Sequence, residues 1–135
     1  MESSKCKAII DTNFLMMMFQ LKVDVVNELK LKLPSYYELI VPSVILDELS
    51  LLKKTLRGKD KLAASMAYQY AQQKPFKVID VQKDMAVDDV LLNLCDDKDV
   101  LCTNDKNLRR RARKRGINVI YLRQHKFLEV DGYIN

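Results

Sequence analysis

The sequence has few of the residues on which several common kinds of site depend. His125 is its one histidine, and its three cysteines, Cys6, Cys95 and Cys102, have neither CxxC spacing nor a histidine nearby. These cysteines are typical of reduced thiols in a cytoplasmic protein and argue against a zinc ribbon or a disulfide framework. A mechanism that needs a histidine base has one candidate, in a late loop.

Glycine and long apolar runs are also scarce. There are only three glycines, none of them in a GxGxxG or GxxxxGK[ST] pattern, so the usual phosphate-binding loops are absent. No apolar run approaches ~18 residues, and we therefore expect no membrane span. The first residues, MESSKCK, lack the apolar segment of a signal peptide.

The remaining composition is that of an ordinary packed protein. The chain has 135 residues, of which 48% are apolar and 30% charged, and these values predict a single globular domain over residues 1–135. We expect its core to cover about residues 5–125 and the stretch 126–135 to form a C-terminal tail.

Short apolar runs alternate with segments of helical periodicity. Strands are predicted at 7–11, 38–41, 76–81, 99–103 and 117–122. Helices are predicted from near Asn13 and at 23–33, 43–54, 60–73, 84–95 and 104–115. Since the strand runs are apolar on both faces, they indicate an α/β fold with a mostly parallel sheet and right-handed crossovers.

Four acids occur close behind predicted strands. Asp11 ends the first strand and Asp105 follows the fourth, while Glu48 and Asp88 lie in the helices after the second and third. In an open α/β sheet, functional residues collect at the carboxyl ends of the strands. We therefore expect the four carboxylates to converge at one edge of the sheet.

Such a cluster needs a positive charge. Two like charges ~4 Å apart repel by about 4 kcal/mol at an effective dielectric constant near 20, so the acids must bind a cation or take up protons. Oxygen ligands alone favour Mg²⁺ or Mn²⁺. A metal held by acids beside a basic surface suits phosphodiester hydrolysis by an activated water, without a covalent side-chain nucleophile.

Each acid also has a simpler interpretation. The alternatives are a helix N-cap, a solvated helix residue, or an acid that favours the first helical turn; they apply to Asp11, Glu48, Asp88, Asp89, and Asp105 with Asn104. The common placement of the acids at one sheet edge, rather than any one residue, is what favours a functional site.

The positive charge of the chain is concentrated. The net charge is +5, and the run LRRRARKRG (108–116) contains six cations. We predict contacts with nucleic-acid phosphates from this run and from a second basic stretch in a loop around Gly58; the residues are Arg109, Arg110, Arg111, Arg113, Lys114, Lys53, Lys54 and Arg57. The alternative is that some of them only complement the helix dipole and maintain solubility.

Four segments in a fixed order, IIDTN, VPSVILDEL, DDVLL and LCTNDKNLRRR, resemble the PIN-domain ribonuclease family from Lys7 to about Leu122. The residues that match the motifs of the family are Asp11-Thr12-Asn13, Pro42 with Glu48-Leu49, Asp88 or Asp89, and Thr103 with Asp105. The resemblance implies a three-layer α/β/α sandwich of about five parallel strands in the order 3-2-1-4-5. It also implies RNA cleavage that depends on Mg²⁺ or Mn²⁺.

The resemblance also implies roles for individual residues. Catalysis and metal binding fall to Asp11, Glu48, Asp88 and Asp105, with Asp88 favoured over Asp89 by the family's Asp-x-x-Ile pattern. The side chains expected to hydrogen-bond these ligands or the attacking water are Thr12, Asn13, Asp89, Thr103 and Asn104.

The biological role stays open between processing of ribosomal RNA precursors and a toxin-type ribonuclease. Expected partners are RNA, an antitoxin or a ribosome-assembly protein, and a second copy of the chain, for which the Met-rich segment FLMMMF could offer surface besides core. A catalytically silent PIN fold that scaffolds RNA is the alternative function. A receiver-like signalling domain fits poorly, because the acid pair near Cys6 and the lysine after the fifth strand are missing.

Overall fold

A computed structural model describes residues 6–134 of the chain. The expectation that no signal peptide occurs at the N-terminus falls largely on residues 1–5, outside this range. None of the helices in the described range is both long and apolar enough to cross a membrane.

Six strands form one sheet and confirm the predicted α/β class. The strands are β1 (Cys6–Ile10), β2 (Tyr37–Pro42), β3 (Phe76–Ile79), β4 (Val100–Cys102), β5 (Asn118–Arg123) and β6 (Phe127–Asp131). Their order is β3-β2-β1-β4-β5-β6, so the predicted order 3-2-1-4-5 is confirmed and extended by one strand. All neighbouring strands pair in parallel except β5 and β6.

Six helices accompany the strands and complete the α/β/α sandwich. They are α1 (Thr12–Gln20), α2 (Val25–Lys32), α3 (Ser43–Thr55), α4 (Gly58–Tyr70), α5 (Val87–Leu94) and α6 (Lys106–Lys114). The predicted helix at 84–95 begins three residues late, at Val87, since 84–86 are irregular. Gly116 follows α6 with φ of +80°, the left-handed conformation predicted for a glycine at that helix end.

The loop expected around Gly58 is shorter than predicted. Gly58 is the first residue of α4, so only residues 56 and 57 separate α3 from α4. Lys53 and Lys54 belong to the last turn of α3 rather than to a loop. Two cations of the basic stretch are therefore on α3, and the third, Arg57, is the N-cap of α4.

The sixth strand lies inside the stretch expected to be a tail. β6 pairs antiparallel with β5, in a register that places Asp131 opposite Val119. A tight turn joins the two strands, with Gln124 and His125 at positive φ. This edge strand buries only Leu128 completely, so its sequence FLEVD has no continuous apolar run and the pattern alone does not predict a strand there.

The first strand and first helix form the centre of the core. In β1, Ala8, Ile9 and Ile10 are fully buried. Four of the six residues of FLMMMF are buried as well, and the other two, Met18 and Phe19, are partly buried against the core. This segment is therefore core, and it lends no support to the expected homodimer, which stays a prediction.

Candidate functional site

The predicted edge of the sheet is built where β1 and β4 end. The Asp11 N–H donates to the Cys102 carbonyl oxygen at 3.0 Å, and the Thr103 N–H donates to the Ile120 carbonyl oxygen at 3.0 Å. Both residues thus continue the hydrogen bonding of the sheet for one step beyond the strands. The backbone at Asp11 and Thr103 is fixed by the central strands of the fold.

The Asp11 carboxylate is buried, with 5% of the residue exposed, and accepts hydrogen bonds from three residues. Its Oδ1 accepts from the Thr12 N–H at 2.8 Å, the contact that makes Asp11 the N-cap of α1. Its Oδ2 accepts from Thr103 Oγ1 at 2.7 Å and from Asn13 Nδ2 at 3.1 Å. The cap interpretation of Asp11 is therefore correct, but the side chain also faces the other predicted site residues.

The environment of Asp11 disfavours its charge. The pKa of this carboxyl is raised from 3.8 to about 6, mainly because burial disfavours the charge and also because the carboxylates of Glu48 and Asp88 lie nearby. The hydrogen bonds from Thr103 and Thr12 act in the opposite direction and lower it. A carboxylate desolvated beside other acids is stabilised strongly by a cation placed among them.

Glu48 is brought to the same edge by Thr12. The Thr12 hydroxyl donates to Glu48 Oε1, so the residue after Asp11 joins the start of α1 to the second turn of α3. Thr12 itself is buried. Glu48 is half-buried and hydrogen-bonded, and the interpretation of a freely solvated helix residue is wrong for it.

Asp88 and Asp89, adjacent in the first turn of α5, have different surroundings. Burial raises the pKa of Asp88, and the neighbouring Asp105 raises it further, while Arg111 lowers it. Asp89 Oδ1 instead accepts a hydrogen bond from Arg111 Nη2 at 2.5 Å. Asp88 therefore lies among the acids, whereas the charge of Asp89 is balanced by an arginine of α6.

Asp105 is the N-cap of α6 and also part of the acidic edge. Its Oδ1 accepts from the N–H groups of Asn107 at 2.8 Å and Leu108 at 3.1 Å. Its own N–H donates to Thr103 Oγ1 at 3.1 Å. The Thr103 hydroxyl thus donates to Asp11 and accepts from Asp105, and it joins two of the four acids.

Asn13 and Asn104 connect three elements behind the acids. The Asn104 N–H donates to Asn13 Oδ1 at 2.9 Å, and Asn104 Oδ1 accepts from the Leu122 N–H at 2.8 Å. Asn104 Nδ2 contacts the Met17 sulfur at 3.0 Å. Because Asn13 also donates to Asp11, this network holds α1 against β5 and orients the central carboxylate.

The four acids influence one another in pairs, Asp11 with Glu48 and Asp88, and Asp88 with Asp105, without forming a closed cage. Within residues 6–134, no group of three or more His, Cys, Asp or Glu side chains is close enough to hold a metal ion directly. An oxygen-only donor set suits Mg²⁺, which keeps several of its waters and uses one or two protein carboxylates rather than a complete protein cage. The acids fit such an open, partly hydrated ion.

A shallow cavity adjoins the acidic edge at Glu48. It has a volume of about 300 Å³ and is lined by Val44, Asp47, Glu48, Leu51, Lys83, Met85 and Val87. Lys83 Nζ lies 2.5 Å from Asp47 Oδ2 across this cavity. Lys83 is a charged group near the acids that the sequence interpretation did not select, since it occurs in an irregular segment with no motif.

The residues predicted to bind RNA from α6 differ in what they contact. Arg109 Nε donates to Asp131 Oδ2 at 2.8 Å and lies over the Tyr121 ring, 3.6 Å from its centroid. Arg113 contacts the same carboxylate at 3.4 Å, and Arg111 pairs with Asp89. Three of the five predicted side chains thus contact acidic residues of the protein itself. The other two, Arg110 and Lys114, are exposed.

The second predicted RNA-binding stretch lies farther from the acids. Lys53 and Lys54 occupy the last turn of α3, whereas Glu48 is in its second turn. Lys53 Nζ lies 4.0 Å from the centroid of the Tyr68 ring. Lys54 and Arg57 are exposed.

Comparison with known proteins matches the chain over nearly its whole length. A family model described as "PIN like domain" matches residues 8–125. Ribonuclease VapC4 of Methanocaldococcus jannaschii is 33% identical over 132 residues, which cover 95% of this chain and 98% of the relative. Ribonuclease VapC9 of Archaeoglobus fulgidus is 34% identical over 125 residues, 92% of this chain and 88% of the relative.

A solved structure of the PIN domain endonuclease Utp24 has a similar fold. It superposes with a TM-score of 0.76 at 25% sequence identity, and the match covers 96% of this chain and 93% of that one. The fold of this chain therefore has a counterpart of known structure.

Proposed function

Because the chain belongs to the PIN-like domain family, we propose that it is an endoribonuclease that uses Mg²⁺ or Mn²⁺ to hydrolyse RNA. The observation that carries the proposal is the environment of Asp11. Its carboxylate is buried at the end of the central strand, beside Glu48 and Asp88, and its pKa is raised to about 6. A buried charge placed among like charges costs stability and is typical of a functional site.

The metal would be held by Asp11, Glu48, Asp88 and Asp105, directly or through waters. When bound, such an ion neutralises phosphate charge and lowers the pKa of a water molecule, which supplies the nucleophile for hydrolysis. Thr103, Thr12 and Asn13 orient the carboxylates through the hydrogen bonds described above. Holding the ligands on strand ends and helix caps gives the precise geometry that such a reaction needs.

The relatives support nuclease activity. The names of VapC4 and VapC9 describe ribonucleases, and this chain aligns with both over most of their length. Utp24 is described as an endonuclease. The four acids of this chain supply a carboxylate site of the kind that such chemistry requires.

The proposal keeps two biological roles. A toxin-type ribonuclease would act with an antitoxin partner, and a ribosomal RNA processing enzyme would act with ribosome-assembly proteins. The likeness to two VapC ribonucleases favours the first role. An antitoxin gene adjacent to the gene of this chain would support the toxin role, and a homodimer is tested by light scattering of the purified protein.

The deciding experiment is cleavage of a structured RNA with Mg²⁺ or Mn²⁺ by the wild type and by Asp11→Asn, with EDTA as a control. We expect cleavage that needs the metal and falls by about 100-fold or more in Asp11→Asn, since loss of a residue that merely supports a ligand already costs about 10–100-fold. Cleavage that persists in Asp11→Asn would place the chemistry elsewhere or reveal a contaminant.

One observation favours a second candidate, an RNA-binding scaffold without catalysis. Within residues 6–134, no group of three or more potential ligands is close enough to hold a metal ion without bridging waters. For such a scaffold, the same experiment would detect no cleavage, while the wild type would still bind the RNA with an affinity that falls steeply with salt.

A further inference from the structure

Helix α6 and its C-cap residue Arg115 carry seven positive side chains, and the neighbouring elements divide them into distinct groups. Leu108 and Ala112 are fully buried and form the face that packs on the core. With 3.6 residues per turn, residues three or four apart share one side of the helix. Each side of α6 can therefore be assigned by what it contacts.

One side of α6 is used against α5. Arg111 Nη2 donates to Asp89 Oδ1 at 2.5 Å. One turn later, Arg115 Nη1 donates to Asn93 Oδ1 at 3.1 Å. These two arginines connect neighbouring helices and are not free to bind a polyanion without breaking those contacts.

The opposite side of α6 is used against the edge strand β6. Arg109 and Arg113 both contact the Asp131 carboxylate, at 2.8 and 3.4 Å. Arg113 Nη1 also donates to the Ile117 carbonyl oxygen at 3.1 Å. This pair of arginines fastens the last strand to the helix.

Three cations are left, and they share the outer side of the helix. Lys106, Arg110 and Lys114 are spaced by four residues and are all exposed. Within the described part of the chain, none of the three forms a hydrogen bond or an ion pair through its side chain. We call these three residues the outer cationic row.

The outer cationic row begins beside the acids. Lys106 directly follows Asp105, and successive members are separated by about 6 Å along the helix axis, four residues at 1.5 Å each. That distance is comparable to the separation of consecutive phosphates in a nucleic-acid strand. A cleft of about 320 Å³ adjoins the row and is lined by Lys106, Arg109, Arg110, Arg113 and Asp131, four cations against one carboxylate.

We propose that Lys106, Arg110 and Lys114 bind consecutive phosphates of a single RNA strand and lead that strand to the acids at Asp105. The proposal rests on the proposed function and specifies how the substrate is held. Contacts of this kind bind the backbone without reading its sequence, and each one releases counterions. The row therefore contributes affinity and position, whereas Arg109, Arg111 and Arg113 contribute mainly to the fold.

The test measures binding of a fluorescein-labelled single-stranded oligouridylate at several salt concentrations, in EDTA so that no metal-dependent cleavage occurs. The variant is Lys106→Gln with Arg110→Gln and Lys114→Gln. In a plot of log affinity against log salt, each phosphate contact with a single strand makes the negative slope steeper by about 0.7. Loss of three contacts is therefore expected to make the slope shallower by about 2.

A matched control removes the same charge elsewhere. Lys30, Lys32 and Lys98 are exposed, and Lys30 and Lys98 lie near the amino ends of the strands, at the edge opposite the acids. Changing these three lysines to glutamine is expected to alter the slope by less than 0.7, the value for one contact. Thermal unfolding of both triple variants checks that each is folded.

The outcomes separate this proposal from the proposed function. If both triple variants change the slope equally, the effect is one of net charge, and the proposal that the outer cationic row binds RNA is overturned. An unchanged slope together with row-dependent binding to phosphatidylserine vesicles would assign the row to a lipid surface and also overturn it. If only the row variant makes the slope shallower but the wild type does not cut RNA with any metal, RNA binding by the outer cationic row is supported and the proposed function fails.

Discussion

The Thr103 hydroxyl donates to Asp11 Oδ2 at 2.7 Å and so joins the residues that follow the two central strands β4 and β1. Thr103 is fully buried, and the same oxygen accepts the Asp105 N–H at 3.1 Å. One side chain thus donates a hydrogen bond to the Asp11 carboxylate and positions Asp105, the residue that caps α6. A hydroxyl is needed there because the buried group must both donate and accept.

Thr103→Val keeps the shape of the side chain and removes both hydrogen bonds. We expect the pKa of Asp11 to rise further, because the Thr103 hydrogen bond is the contact that lowers it most. Cleavage of RNA is expected to fall by about 10–100-fold, and stability at neutral pH by about 1–3 kcal/mol. Thr103→Ser is the control, since it keeps the hydroxyl; equal losses in both variants would show that packing, and not the hydrogen bond, matters.

Asp88→Asn and Asp89→Asn form a matched pair of neighbouring substitutions. We expect Asp88→Asn to lower cleavage by about 100-fold or more, because Asp88 lies among the acids and would help hold the metal. Asp89→Asn loses the ion pair with Arg111 and should change cleavage by less than about 10-fold. The reverse ranking, measured as initial cleavage rates, would identify Asp89 as the ligand.

Metal binding should be visible without any RNA. A ligand that binds only the folded state stabilises it by about 2.7 kcal/mol at 100 times its dissociation constant, so Mn²⁺ or Mg²⁺ should raise the Tm of the wild type in a concentration-dependent way. Asp11→Asn should lose this response. An equal rise in both proteins would mean that the ion binds outside the predicted acids.

The placement of the acids was predictable because it follows from topology. Once KAII and VLC are recognised as parallel strands, Asp11 and Asp105 must lie at the same edge. The strand β6 was not predictable, since its half-exposed sequence has no apolar run. The different contacts of Arg109, Arg110 and Arg111 were not predictable either, because three consecutive arginines look alike until the neighbouring helix and strand are placed.

Asp131→Asn tests the interpretation that Arg109 and Arg113 act mainly in the fold. The substitution removes the carboxylate that both arginines contact, and we expect stability to fall by roughly 1 kcal/mol, since these are partly exposed ion pairs. RNA binding should not weaken, because the freed arginines add positive charge to the cleft. Urea unfolding and oligouridylate binding measure the two effects, and weaker RNA binding would contradict this division of roles.

The raised pKa of Asp11 predicts the pH dependence of stability in the absence of metal. The folded protein releases the Asp11 proton near pH 6, whereas an ordinary aspartate releases it near 3.8. Between these values the folded state binds more protons than the unfolded chain, so stability decreases as the pH rises through this window. Well below pH 3.8 the Asp11 carboxyl is protonated in both states and this loss is absent.

Asp11→Asn removes that titration and serves as the comparison. We expect the wild type to lose roughly 2–3 kcal/mol relative to Asp11→Asn between pH 4 and 7, from a pKa difference of about two units at 1.36 kcal/mol each, part of which is already lost at pH 4. Urea unfolding in EDTA at several pH values measures the difference. Parallel pH profiles for the two proteins would mean that Asp11 titrates normally. That result would contradict the argument that a cation is needed to stabilise its buried charge.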